Sequence, residues 1–115
     1  MEFGFDENRD LILVDVLGTP DECRFTFEGI PVSKEAARIF YRKTPWFTEI
    51  EEAKTKDRQN WKALVRTQPP LLPGRLETLF AQLYKGFCNE ITGREWFLVG
   101  PLKGILSELK TELGL

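Results

Sequence analysis

Apolar and polar positions change rhythm along the chain, and the changes mark the elements. Residues 2–5 and 11–16 are short apolar-rich runs, the second branched (Leu11-Ile12-Leu13-Val14), and both predict strands. Between them Asp6-Glu7-Asn8-Arg9-Asp10 is turn chemistry. With Asn8-Arg9 as a two-residue hairpin loop, Glu2 falls directly opposite Asp15, the two Cβ atoms roughly 5 Å apart on one face. Like charges so placed repel, and a cation between them is the natural resolution.

Residues 18–31 read as loop with one short strand over 24–27. Ser33 is placed to cap a helix over 34–42. Thr44-Pro45 is a second helix start, N-cap then first turn, for a helical stretch reaching about residue 66 with a break near Lys56. Gln68 to Gly74 is a proline-rich linker. Leu76, Leu79, Phe80, Leu83 and Phe87 follow helical spacing, and Gly93 stops that helix. Pro101 opens a final helix with the stripe Leu102, Ile105, Leu106, Leu109 and Leu113. The expected class is α+β: a small antiparallel hairpin element followed by four or so packed helices. The 115 residues form one domain or half-domain, with hairpin and acidic turn over 1–32 and helices over 33–115.

Composition narrows the chemistry. The chain is 42% hydrophobic and 30% charged, which suits a water-soluble domain and not a membrane class. It carries neither an apolar run of membrane-spanning length nor a signal-peptide pattern, so a cytoplasmic protein is the expectation. There is no histidine. That removes histidine-based triads, histidine general bases and the common zinc sites together. Cys23 and Cys88 lack CxxC spacing and are expected as reduced thiols. Any metal would be held by oxygens, which favours magnesium or manganese.

The net charge of −2 conceals an asymmetry. Residues 1–29 hold eight acids and two bases, whereas residues 34–75 hold ten bases and five acids. The bases alternate with acids on the predicted helices, as on a solvated helical face. Trp46, Trp61 and Trp96 lie among bases, a pattern that also occurs in single-strand nucleic-acid binders. Their apolar neighbours favour core or interface anchors instead, with no nucleic-acid and no membrane partner.

Three motifs in order carry a resemblance. Glu2-Phe3-Gly4, Leu13-Val14-Asp15 and Pro20-Asp21-Glu22-Cys23-Arg24 resemble the SAICAR synthetase family, and Ser33-Lys34-Glu35-Ala36-Ala37-Arg38 is similar to the helix start that follows in that family. The match runs over about residues 2–42. Asn89-Glu90 to Gly93 and the closing helix look like the tail of an archaeal-type version. The resemblance implies the C-terminal portion of an ATP-dependent ligase of purine biosynthesis. Such an enzyme joins carboxyaminoimidazole ribonucleotide to L-aspartate through an acyl phosphate, with magnesium on the nucleotide phosphates.

On this resemblance Glu2 and Asp15 match metal-binding carboxylates, and Arg24, Lys34, Arg38 and Asp21 match substrate-binding positions. The ordinary alternatives are a salt bridge from Arg24 to Asp21 or Glu22, a turn-shaping Asp21, and a solvated face for Lys34 and Arg38. Three departures stand out. The lysine expected two residues before Glu2 lies outside these 115 residues, Val16 replaces a glutamate, and there is no phosphate-cradling loop. The resemblance therefore implies a chain inactive without an N-terminal ATP lobe. A competing reading is a non-catalytic interaction module that keeps the fold. Either way Phe3, Phe5, Ile12 and Val14 need a sheet partner, from the missing half or from a second copy in a homo-oligomer.

Overall fold

The computed structural model describes residues 2–15 and 18–115. Among them are four strands, β1 (Phe3–Phe5), β2 (Leu11–Leu13), β3 (Phe25–Phe27) and β4 (Ile30–Val32), followed by five helices. The helices are α1 (Glu35–Arg42), α2 (Pro45–Lys56), α3 (Trp61–Leu64), α4 (Gly74–Thr92) and α5 (Leu102–Leu113). The strands form two separate antiparallel hairpins, β1–β2 and β3–β4. The α+β expectation holds, with a second hairpin in place of most of the predicted loop.

The register of the first hairpin corrects the sequence arithmetic. Phe3 pairs with Leu13, Gly4 with Ile12 and Phe5 with Leu11. The loop therefore has three residues, Glu7, Asn8 and Arg9, and Glu2 falls opposite Val14 instead of Asp15. The reason is local. The Arg9 N–H donates to the Asp6 carbonyl at 3.0 Å, and Arg9 itself adopts φ 67°. A tight turn followed by one left-handed residue is the common three-residue hairpin solution. The Asp6 carboxylate reinforces it, accepting from the N–H groups of Asn8 (2.9 Å) and Asp10 (2.8 Å). The predicted strand end at Val16 lies outside the described residues.

The short strand predicted over 24–27 is β3, but its partner β4 escaped the sequence reading because the turn between them is Glu28-Gly29, not one of the commoner Asn-Gly or Asp-Gly pairs. Both residues have positive φ, 49° and 77°, as a two-residue mirror-image turn requires. Gly29→Ala is expected to destabilise this hairpin by about 1–2 kcal/mol, because a Cβ is disfavoured in the left-handed region. Faster amide exchange over 25–32, measured against α4, checks it.

Helix boundaries follow capping chemistry. α1 begins at Glu35 with Lys34 as its N-cap, one residue later than expected; Ser33 stands one position before the cap, its hydroxyl accepting from the Glu35 N–H at 3.2 Å. The Thr44 hydroxyl accepts from Phe47 N–H at 3.3 Å, with Pro45 in the first turn of α2. The break expected near Lys56 is found there, where α2 ends. Asp57 leaves the helical conformation and its carboxylate accepts from the N–H groups of Gln59 and Asn60, both at 3.0 Å. Only the short α3 follows. Gly93 and Gly114 end α4 and α5 in left-handed conformations.

The core lies where α4 and α5 pack together beneath α1 and β4. Leu76, Leu79, Leu83 and Phe87 of α4 meet Leu102, Ile105, Leu106, Leu109 and Leu113 of α5, with Val32 and Ala36 above them. Both predicted stripes are thus the buried faces. Gly86 permits the close approach: a Cβ there would meet Ile105 Cδ1 at 3.0 Å. The β3–β4 hairpin joins this core through Phe25, whose ring lies 5.0 Å from that of Phe87. The β1–β2 hairpin contributes nothing to the core, and α2 with α3 forms an arm carried by α1. The radius of gyration is accordingly 18.0 Å, against roughly 13–14 Å for a compact chain of this length. The three tryptophans are not core anchors, since none is buried and Trp96 is exposed.

Candidate functional site

Two turns bring the candidate cations together. Thr19 organises the first: its hydroxyl accepts from the Glu22 N–H at 3.3 Å and its carbonyl from the Cys23 N–H at 2.9 Å. Thr19 therefore shapes this turn, and not Asp21 as the sequence suggested. The Lys34 N–H donates to the Pro20 carbonyl at 3.3 Å, tying the turn to the start of α1. The result is a pocket of about 210 Å³ lined by Asp21, Glu22, Cys23, Arg24, Ser33, Lys34, Glu35 and Arg38. All four sequence-predicted substrate positions, Asp21, Arg24, Lys34 and Arg38, line it.

The charges in the pocket are unevenly paired. Lys34 lies 3.9 Å from Glu22, a loose contact between side chains over 40% exposed. Arg38 reaches Glu35 at 3.1 Å, and Arg42 holds the other Glu35 oxygen at 2.7 Å. Arg24 makes no ion pair or hydrogen bond among the described residues, so the expected bridge to Asp21 or Glu22 is not formed. A solvated guanidinium on a pocket wall, beside the loosely held Lys34 and the Glu35-paired Arg38, has the chemistry to bind a phosphate or carboxylate. Exposed pairs such as Lys34–Glu22 contribute only about 0–1 kcal/mol, so an incoming anion can replace the acid at little cost.

Sequence reasoning missed Glu35 and Glu22 as the acids that orient these bases. The spacing of Glu35 and Arg38, three apart on one helix face, was the available signal. It also missed Tyr84 of α4, whose hydroxyl is pushed above its ordinary value by burial and by the nearby Asp21 charge.

Glu35, Glu49 and Asp57 lie below their ordinary carboxylate values. Glu35 is held down by the Arg38 hydrogen bond, against opposing burial and with help from Arg42. Glu49 is lowered by the Thr67 hydroxyl and the Arg66 N–H, and Asp57 by the backbone and side chain of Asn60. A depressed folded-state value stabilises the fold above the unfolded-state value, and that contribution disappears as pH falls through the folded value. The melting temperature is expected to be flat between about pH 5 and 7 and to fall below about pH 4. Thermal melts across that range check it, and E49Q should flatten the acid limb.

The acidic pair on the first hairpin is arranged differently from expectation. The Glu2 N–H donates to Asp15 Oδ2 at 3.1 Å, so Asp15 closes the open end of the hairpin. No cluster of three or more acidic or thiol ligands occurs among the described residues. Hard carboxylate oxygens suit magnesium, which is commonly held by one or two carboxylates with the rest supplied by waters and substrate phosphates. In this register Glu2 lies opposite Val14, so Glu2 and Asp15 do not face each other as cross-strand partners. No helix among the described residues is long and apolar enough to cross a membrane.

An acidic hairpin thus precedes a pocket lined by Arg24, Lys34 and Arg38 at a helix start, in an α+β fold. The SAICAR synthetase family model matches residues 1–58, which include every residue of this pocket and the acidic hairpin. The chain belongs to the SAICAR synthetase family, whose members are ligases of purine biosynthesis. It is 43% identical over 113 residues to a protein of Archaeoglobus fulgidus named phosphoribosylaminoimidazole-succinocarboxamide synthase, a match covering 98% of this chain and 33% of the relative. Proteins of the same name from Thermoplasma acidophilum and Thermoplasma volcanium are each 29% identical over 102 residues, or 83% of this chain. The chain spans about a third of the length of these relatives. No solved structure matches it.

Proposed function

We propose that this chain forms the C-terminal part of a SAICAR synthetase and supplies its acidic hairpin and its cationic substrate pocket. The reaction is the ATP-dependent joining of carboxyaminoimidazole ribonucleotide to L-aspartate. The observation that carries the reading is the convergence of Arg24, Lys34 and Arg38 on one pocket, with Arg24 left unpaired among the described residues. Arg24 binds a phosphate or carboxylate of the substrate through its planar fork. Lys34 exchanges Glu22 for the ligand, and Arg38, steadied by Glu35, closes the wall. Asp21 repels a misplaced anion or accepts from a substrate donor. Glu2 and Asp15 are the candidates to hold magnesium, which when bound neutralises charge on the nucleotide phosphates. The remaining work of these residues is positioning.

The test is to purify the chain together with a polypeptide matching the rest of the Archaeoglobus relative. ADP release is then measured with magnesium, the ribonucleotide and aspartate. The complex is expected to turn over and the isolated chain to be inactive. A verified complex without activity would overturn the reading. A second reading, a non-catalytic module, is favoured by the hairpin register, which separates Glu2 from Asp15 as cross-strand partners. It predicts that E2A and D15A leave magnesium and nucleotide binding by that complex unchanged, whereas the ligase reading predicts a loss of both.

A further inference from the structure

Three aromatic rings outside the core gather where the α2–α3 arm meets α1. Trp46 of α2, Trp61 of α3 and Tyr41 of α1 are half-buried, and together they line a groove of about 410 Å³. Tyr41 and Trp46 fix each other, meeting nearly edge to face with centroids 5.7 Å apart. Arg38, Arg42 and Lys54 line the same groove, against one acid among the described residues, Glu51. Lys54 pairs with Glu51 at 2.8 Å and lies 5.4 Å over the Trp61 ring, so its ammonium is steered to the aromatic wall. Arg42 is held by Glu35 at 2.7 Å. Both cations are more than 40% exposed, and such pairs are weak enough to yield to a phosphate.

We propose that this groove binds a nucleoside phosphate, with its base against the Trp46 and Trp61 rings and its phosphate on Arg42 and Lys54. Aromatic rings hold a base by its face, and cations hold a phosphate by charge-assisted hydrogen bonds. An uncharged apolar occupant leaves three cations unanswered, and a bare anion leaves the rings wet. The combination selects a ligand that carries both a planar ring and a negative charge. Small-molecule sites are typically about 300–1,000 Å³, with largely apolar and aromatic walls and a few placed polar groups, which is the make-up of this groove. It shares only Arg38 with the pocket at Arg24. The site stands whether or not the ligase reading does, because it is complete within these 115 residues.

Calorimetric titration of the full chain with AMP makes the test, with tryptophan fluorescence in a W96F background as a second signal. AMP is expected to bind with Kd below about 1 mM and to quench the two remaining tryptophans. Adenosine and ribose 5-phosphate each keep one half of the ligand and should bind at least about tenfold more weakly. R42Q and K54Q should each weaken AMP binding about tenfold, and W61L at least about fivefold. An unchanged melting temperature shows that these variants still fold. R24A should bind AMP as the parent does. A Kd above about 1 mM, equal affinity for adenosine or ribose 5-phosphate, or binding lost in R24A and kept in R42Q overturns the proposal. So does poly(U) bound far more tightly than AMP, which makes the groove part of a nucleic-acid surface instead. Ligation by the assembled complex is measured separately, so an active complex whose chain ignores AMP overturns this site alone.

Discussion

Arg24→Ala in the assembled complex is expected to lower ligation by about 10–100-fold while leaving thermal unfolding of the chain unchanged. The first half follows from chemistry. Hydrogen bonds to a charged group are worth roughly 1.5–3 kcal/mol each, and each 1.4 kcal/mol is a tenfold change. The second half follows from the structure: Arg24 is exposed and makes no ion pair or hydrogen bond among the described residues, so its removal breaks nothing in the fold. R24K should recover only part of the activity, because a lysine restores the charge and not the fork. Steady-state kinetics with varied ribonucleotide, beside a thermal melt, make the measurement. Activity within twofold of the parent would remove Arg24 from the substrate site. A melting temperature that fell with activity would instead assign it a structural role.

Leu79→Ala is expected to have the largest effect on stability. Leu79 is fully buried between α4 and α5, among Leu83, Leu106 and Leu109, which are equally inaccessible. Truncating such a leucine costs about 2–5 kcal/mol, from lost burial and the cavity left behind. A domain holds only about 5–15 kcal/mol in total, and each kcal/mol moves the midpoint of a small domain by roughly 4–8 °C. A fall of more than about 10 °C is therefore expected on thermal denaturation. F5A provides the contrast. Phe5 is as apolar as Leu79 but lies on the exposed hairpin, and its truncation should leave the midpoint of the isolated chain where it was. Equal losses from both substitutions would show that the hairpin shares the core after all.

The helices were legible because their signals are local and redundant. In α4 and α5 a periodic apolar stripe coincides with a start signal and a terminal glycine, so several weak preferences agree. The first hairpin was legible as an element but not in register. One residue in the left-handed conformation, Arg9, lengthens the loop and shifts every cross-strand pair by one. Propensity does not foresee an arginine there, because the Asp6 carboxylate and the flanking hydrogen bonds select the turn. The β3 strand was legible, but its turn and partner β4 were missed for a related reason, a glutamate at φ 49° where turn statistics favour asparagine or aspartate.

The candidate site divides the same way. Which residue types serve as candidate cations, and that they lie close to a turn and a helix start, was already written in the order of Asp21, Arg24, Lys34 and Arg38. Their convergence on one pocket depends on the Lys34-to-Pro20 hydrogen bond and on Thr19, contacts between segments that no local pattern encodes. Pairing was likewise undecidable in advance. Glu35 takes both Arg38 and Arg42, while Arg24 makes no ion pair among the described residues. The sequence by itself determined the elements, the buried stripes and the chemical character of the N-terminal segment, because these depend on neighbours within a turn or two. Only the tertiary structure decided the hairpin register and the convergence of Arg24, Lys34 and Arg38 on one pocket, because each depends on hydrogen bonds that local pattern does not specify.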